Sequence, residues 1–217
     1  MHTKLIKRLI TPLLLTGLVL GSSLALAEDD GSNGTGIIPT CKYLPLVPDM
    51  LYKVTNTTVC VDIPVNLIKA KVVFNMDMNA VDAKGRPIGM NHMFMLATGL
   101  KARMAKGLIK PHAISIIGLF HGSAASWVLS DDWWRTNKNT EGNPYGGWIE
   151  KLVALKNEGI NIQLEECGAT MAGNGWSNSD LFTSDKVPMG TIHVNQGAIA
   201  RAIALQQQDY AVIHPGK

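Results

Sequence analysis

From residue 69 onward, short apolar runs rich in β-branched residues alternate with stretches of helical periodicity, and this alternation limits the fold more than any other feature. Lys71–Asp77, Ala113–Phe120, Ile160–Glu166, Thr191–Val194 and Tyr210–His214 read as buried strands. Helical spacing fills about 91–106, 148–158 and 195–208, with shorter helical pieces from Ser123 to Leu129 and after Cys167. Asn91 reads as the cap of the first helix. Strands that alternate with helices pair in parallel and are joined by right-handed crossovers. The expected fold is therefore α/β, a single domain with a mainly parallel five-stranded sheet and helices on both faces. Asp131 to Gly147, polar and carrying Trp133 and Trp134, reads as a long loop of the kind used as a lid or contact surface.

The amino terminus has a different character. Lys4, Lys7 and Arg8 precede an apolar run from Leu9 to Leu20, and Ala25-Leu26-Ala27 offers a small-residue cleavage site. This is the pattern of a secretory signal peptide cut after Ala27, and the run is short for a membrane span. Residues 1–27 hold three of the 20 Lys and Arg and none of the 17 Asp and Glu, so the remainder carries 17 of each sign. Such a neutral chain has no electrostatic footprint for nucleic acid or an anionic membrane. The expected location is periplasmic or secreted, with no membrane attachment after cleavage.

Residues 28–68 read as an irregular extension, punctuated by Pro39, Pro45, Pro48 and Pro64. Cys41 and Cys60 lie in it, and in an oxidising compartment their pairing would stabilise by about 3 kcal/mol. The α/β domain then occupies 69–217.

Cys167 is the third cysteine and stands where the third strand runs into Gly168 and a short helix. Ligands of open α/β sheets bind at the carboxyl ends of strands, and a helix amino terminus favours thiolate. The other reading is a buried thiol that packs as a small hydrophobe. His121, Asn75, Asp77, Asn195 and Gln196 also fall at carboxyl ends of strands. His121 is the candidate partner of Cys167. Asn75, Asp77, Gly168, Asn195 and Gln196 are candidates for holding an anion, or else serve as turn and cap residues. Glu165 and Glu166 should raise the thiol's pKa, so either a further cation, with His121 the best candidate, or glutamates that point away from the thiol are required. Strand alternation places only Glu165 on the face of Cys167, so Glu165→Gln should make the thiol more reactive and His121→Ala less so.

The opening strand Lys71–Asp77, the Phe120-His121-Gly122 strand end and the helix Glu150–Gly159 leading into Ile160 form one set of matches. Cys167-Gly168-Ala169-Thr170-Met171 and the ending Gln206 to Pro215 complete it. Together they resemble the DsrE/DsrF-like family of small α/β sulfur-relay proteins, in its exported branch, over about residues 69–215. The resemblance implies that Cys167 carries a sulfane sulfur as a persulfide, with a sulfur donor or acceptor protein as partner. It also implies a homo-oligomer, a trimer or hexamer. Trp127, Trp133, Trp134 and Trp148 cluster in sequence and would form contact surface or cover the crevice, or else one or two of them pack in the core. The competing reading is a non-catalytic oligomeric binding module for a small ligand or protein partner.

His92, His112, His193 and His214 stand singly without ligand spacing, so no metal site is expected. No cofactor is expected either, since no glycine-rich phosphate loop and no nucleophile elbow occurs.

Overall fold

The computed structural model describes residues 67–216 and two short strands, β1 (Tyr52–Val54) and β2 (Thr57–Val59). The chain divides at Pro64/Val65. In the first unit β1 and β2 pair antiparallel, Lys53 opposite Thr58, so the extension is not wholly irregular. The signal segment, Cys41, Cys60 and their expected disulfide lie outside the described residues.

The second unit contains β3 (Ala70–Met76), β4 (Ile114–Phe120), β5 (Ile162–Cys167), β6 (Ile192–Asn195) and β7 (Ala211–Ile213). They form one sheet in the order β6-β5-β4-β3-β7, with every pair parallel. The chain steps outward from β3 to β6, then returns across the sheet to set β7 on the other side of β3. Right-handed crossovers that travel in opposite directions place their helices on opposite faces. Accordingly α1 (Ile88–Ala105) and α3 (Gly146–Asn157) join a large core with Phe74, Ile116, Phe120 and Leu164. The helix α5 (Ala198–Gln206) covers the other face, over Val73, Ile117, Leu119 and Cys167. A continuous apolar run such as Ile114–Phe120 is what burial on both faces demands.

Two local expectations are corrected. Asp131–Lys138 is a helix, α2, rather than part of a loop. Ser130 Oγ accepts the Trp133 N–H, Asp131 and Asp132 occupy the first turn, Arg135 and Lys138 the last, and Asn139 closes it in a left-handed conformation. Trp127 and Trp134 are buried in the core, the packing alternative for this group of tryptophans. Trp133 packs edge-on against both Trp134 and Trp176, at 5.6 and 5.4 Å between centroids. The first helix begins at Ile88 with Pro87 as its cap residue, so Asn91 lies inside it. Pro87 suits that place because its missing N–H would be unpaired there anyway.

The remaining elements bring the site together. β4 ends in a turn at Gly122, whose φ is +56° and whose added Cβ would lie 2.5 Å from the Asp77 carbonyl oxygen. Only glycine accommodates both the conformation and the approach. After β5 the short helix α4 (Gly168–Asn174) starts directly at Cys167.

Candidate functional site

Strand register decides which side chains share an edge. Glu165 pairs with Leu119 on β4 and His193 on β6, and Cys167 pairs with Asn195. Asn75 pairs with Leu119 across β3 and β4. Side chains alternate along a strand. The α5 face at the carboxyl edge therefore carries, strand by strand, Asn195, Cys167, His121, then Asp77 and Asn75, then His214.

Cys167 is 4% exposed, and the Ala198 N–H at the start of α5 donates to its Sγ at 3.3 Å. The Thr170 hydroxyl and the N–H groups of Thr170 and Ala169 add looser polar contacts from the start of α4. Burial pushes the thiol up. The contacts from Thr170, Ala198 and Ala169 outweigh burial and hold it below the usual thiol range. The sulfur thus sits where two helices begin.

The two flanking carboxylates face opposite sides of the sheet, as strand alternation implies, and each is dealt with differently. Glu165, 2% exposed, is gripped by the Arg201 guanidinium: Nε reaches Oε2 at 2.8 Å and Nη2 reaches Oε1 at 2.7 Å. Gln163 Nε2 and Asn195 Nδ2 donate to the same carboxylate at 2.9 and 3.2 Å. Glu166 points to the opposite face, fully buried, and among the described residues neither of its oxygens has a hydrogen-bond partner. Burial, reinforced by the adjacent Cys167, pushes its carboxyl up to about 9, so it is protonated near neutrality. The cation that compensates Glu165 is therefore Arg201, not His121.

His121 Nε2 lies 2.8 Å from Asn75 Oδ1, and Asn75 Nδ2 donates to His214 Nδ1 at 3.3 Å. The structure thus joins Asn75 and His121, as their strand-end positions imply, and adds His214. The Asp77 main-chain oxygen accepts the Ser123 N–H at 3.1 Å, which ties β3 to the turn after His121. Gly168 is a packing glycine: a Cβ there would meet the Asn195 carbonyl oxygen at 2.6 Å. Gln196 is exposed in the turn between β6 and α5.

Arg201, Thr170 and His214 were not among the sequence candidates. Arg201 had one signal: it is the only Lys or Arg between Lys186 and Lys217. A groove of about 390 Å³ lined by Glu150, Val153, Lys186 and Thr191 lies at the amino ends of β5 and β6, away from Cys167. There Lys186 and Ser184 hold the Glu150 carboxyl below its usual range. Among the described residues no group of His, Cys, Asp and Glu is placed to hold a metal, and no helix is long and apolar enough to cross a membrane.

No known family model and no curated protein matches the chain. Among solved structures it is similar to the protein of unknown function MTH1491 from Methanobacterium thermoautotrophicum. The match has 15% identity and a TM-score of 0.43, and covers 68% of this chain and 100% of that one.

Proposed function

We propose that the protein handles sulfur, carrying a sulfane sulfur on Cys167 as an exported DsrE/DsrF-like persulfide carrier. The observation that supports this best is the thiol held low by helix-start donors despite burial. In the step envisaged, the Cys167 thiolate attacks the outer sulfur of a persulfide or polysulfide donor. A Cys–S bond to that sulfur forms, the donor's S–S bond breaks, and the donor leaves as a thiolate. The donor reacts as its ionised persulfide or polysulfide, so the outer sulfur keeps its own negative charge in the new terminal position while the charge of the attacking thiolate departs with the donor. Asn195 and His121 stand at the neighbouring strand ends.

Polysulfide exposure followed by mass spectrometry of the Cys167 peptide tests this. The expected result is an adduct of about 32 Da that a reductant removes. A Cys167 that gains no sulfur in folded protein ends the carrier reading. The second reading, a non-catalytic binding module, draws on the 4% exposure of Cys167. It is favoured if the thiol resists alkylation as well as sulfur transfer.

A further inference from the structure

We propose that Arg201 and Glu165 form a clamp that holds the first turn of α5 against Cys167, which makes Arg201 a positioning residue for the thiolate. Four links close a ring. The Ala198 N–H reaches Cys167 Sγ, and Cys167 connects along β5 to Glu165. Glu165 is gripped by Arg201, and Arg201 returns along one turn of α5 to Ala198. The N–H to sulfur link is weak. The guanidinium–carboxylate link is two-pronged and charge-assisted, so it sets the geometry that the weak one inherits.

The apolar packing of α5 does not fix that geometry by itself. Ala198 and Leu205 are its buried residues, and Ala198 offers only a methyl group. The strand side, in contrast, is firmly seated, because Glu165 also accepts from Gln163 and from Asn195, the ladder partner of Cys167. Other titratable groups on this face are His121 after β4, Asp77 after β3, His193 on β6, His214 after β7 and Tyr210, which packs on the Cys167 cluster, while Glu166 on β5 faces the other side. Replacing Arg201 leaves all of them in place; α4 contributes none.

The clamp deepens the sulfur-carrier reading and rests on it for its purpose, but its test reads the thiol directly. The rate of Cys167 alkylation is followed against pH by mass spectrometry in the full chain. The variants are Arg201→Gln, Arg201→Lys and the double variant Glu165→Gln/Arg201→Gln. In Arg201→Gln the midpoint should rise by about one pH unit, with about tenfold slower alkylation near neutrality. The double variant should stay raised, because it removes both charges without restoring the grip. Arg201→Lys should recover only part, since an ammonium lacks the fork. A wild-type midpoint in Arg201→Gln overturns the clamp. So does a return to wild type in the double variant, which would mean charge compensation alone. Should Arg201→Gln not fold, the double variant, which buries no unpaired charge, decides. A shifted midpoint without the sulfur adduct defeats the carrier reading and leaves the clamp; an adduct with an unshifted midpoint does the reverse.

Discussion

Glu165 and Glu166, consecutive on β5, face opposite sides of the sheet, and neither opposes the Cys167 thiolate as an unpaired charge. Arg201 compensates the first at 2.7 Å. Burial keeps a proton on the second, with its carboxyl at about 9. A thiol flanked by two acidic residues in sequence is thus flanked by one ion pair and one neutral acid in space.

Glu166 carries a stability cost with a definite pH dependence. Its folded pKa is raised from 4.5, so folding favours the protonated form. The cost is absent below about pH 4.5, grows as pH rises and levels off above about 9. Near neutrality it is on the order of 3 kcal/mol. Glu166→Gln should therefore stabilise the protein by up to that amount near neutrality, by more at alkaline pH and by little in acid. Urea unfolding across a pH series measures it, and a pH-independent difference would contradict the assignment.

The Gly122 turn joins the strand end bearing His121 to the Asp77 carbonyl. A Cβ there meets that oxygen at 2.5 Å in a backbone conformation L residues avoid. Gly122→Ala should cost more than about 1 kcal/mol, read as a lowered thermal midpoint. Gly173, in α4, has open space around its Cβ and serves as the control: Gly173→Ala should be neutral or mildly stabilising.

Trp134 stands between Trp133 and Tyr145 and donates from Nε1 to the Ser126 carbonyl. Its burial makes it a core group, so Trp134→Ala should lose about 3–5 kcal/mol in denaturant unfolding. The homo-oligomer implied by the family resemblance then needs contact surface other than the buried Trp127 and Trp134. Light scattering should show a trimer or a multiple of it in wild type and in Trp133→Ala alike; a wild-type monomer would remove that proposal.

The strands were legible because runs such as Ile114–Phe120 are apolar on both faces, and a parallel sheet then puts every strand end on one edge. That is why Asn75, His121, Cys167 and Asn195 could be grouped in advance. The helix Asp131–Lys138 is hard to read from sequence although Ser130-Asp131-Asp132 is an amino-terminal cap signal, because the Gly- and Asn-rich residues after it have the composition of a loop. Arg201 and His214 were hidden for another reason. Arg201 lies 36 residues from Glu165, and His214 lies 139 from Asn75. Those contacts exist only because α5 crosses back over the sheet to place β7 beside β3. A side chain's partner across such a crossover depends on strand order, which local pattern does not encode.

The donors at Cys167 can be separated by substitution. Desolvation opposes the thiolate, and the Thr170 hydroxyl leads the groups that overcome it. Thr170→Val keeps the shape and removes that donor, leaving the N–H groups of Thr170, Ala169 and Ala198 in place. The thiol should then titrate higher, and alkylation near neutrality should slow by up to about tenfold, while the rate at strongly alkaline pH, where the thiolate is full in both proteins, stays unchanged. Folded thiol stabilisation also has a pH sense. A depressed thiol pKa adds stability above the unfolded value, and that addition is lost as pH falls through the folded one. Cys167→Ser should therefore reduce alkaline stability relative to wild type and converge with it toward acid, as read by unfolding at several pH values. An alkylation profile of Thr170→Val that overlays the wild type would remove the hydroxyl from the site and leave Ala198 as the main donor.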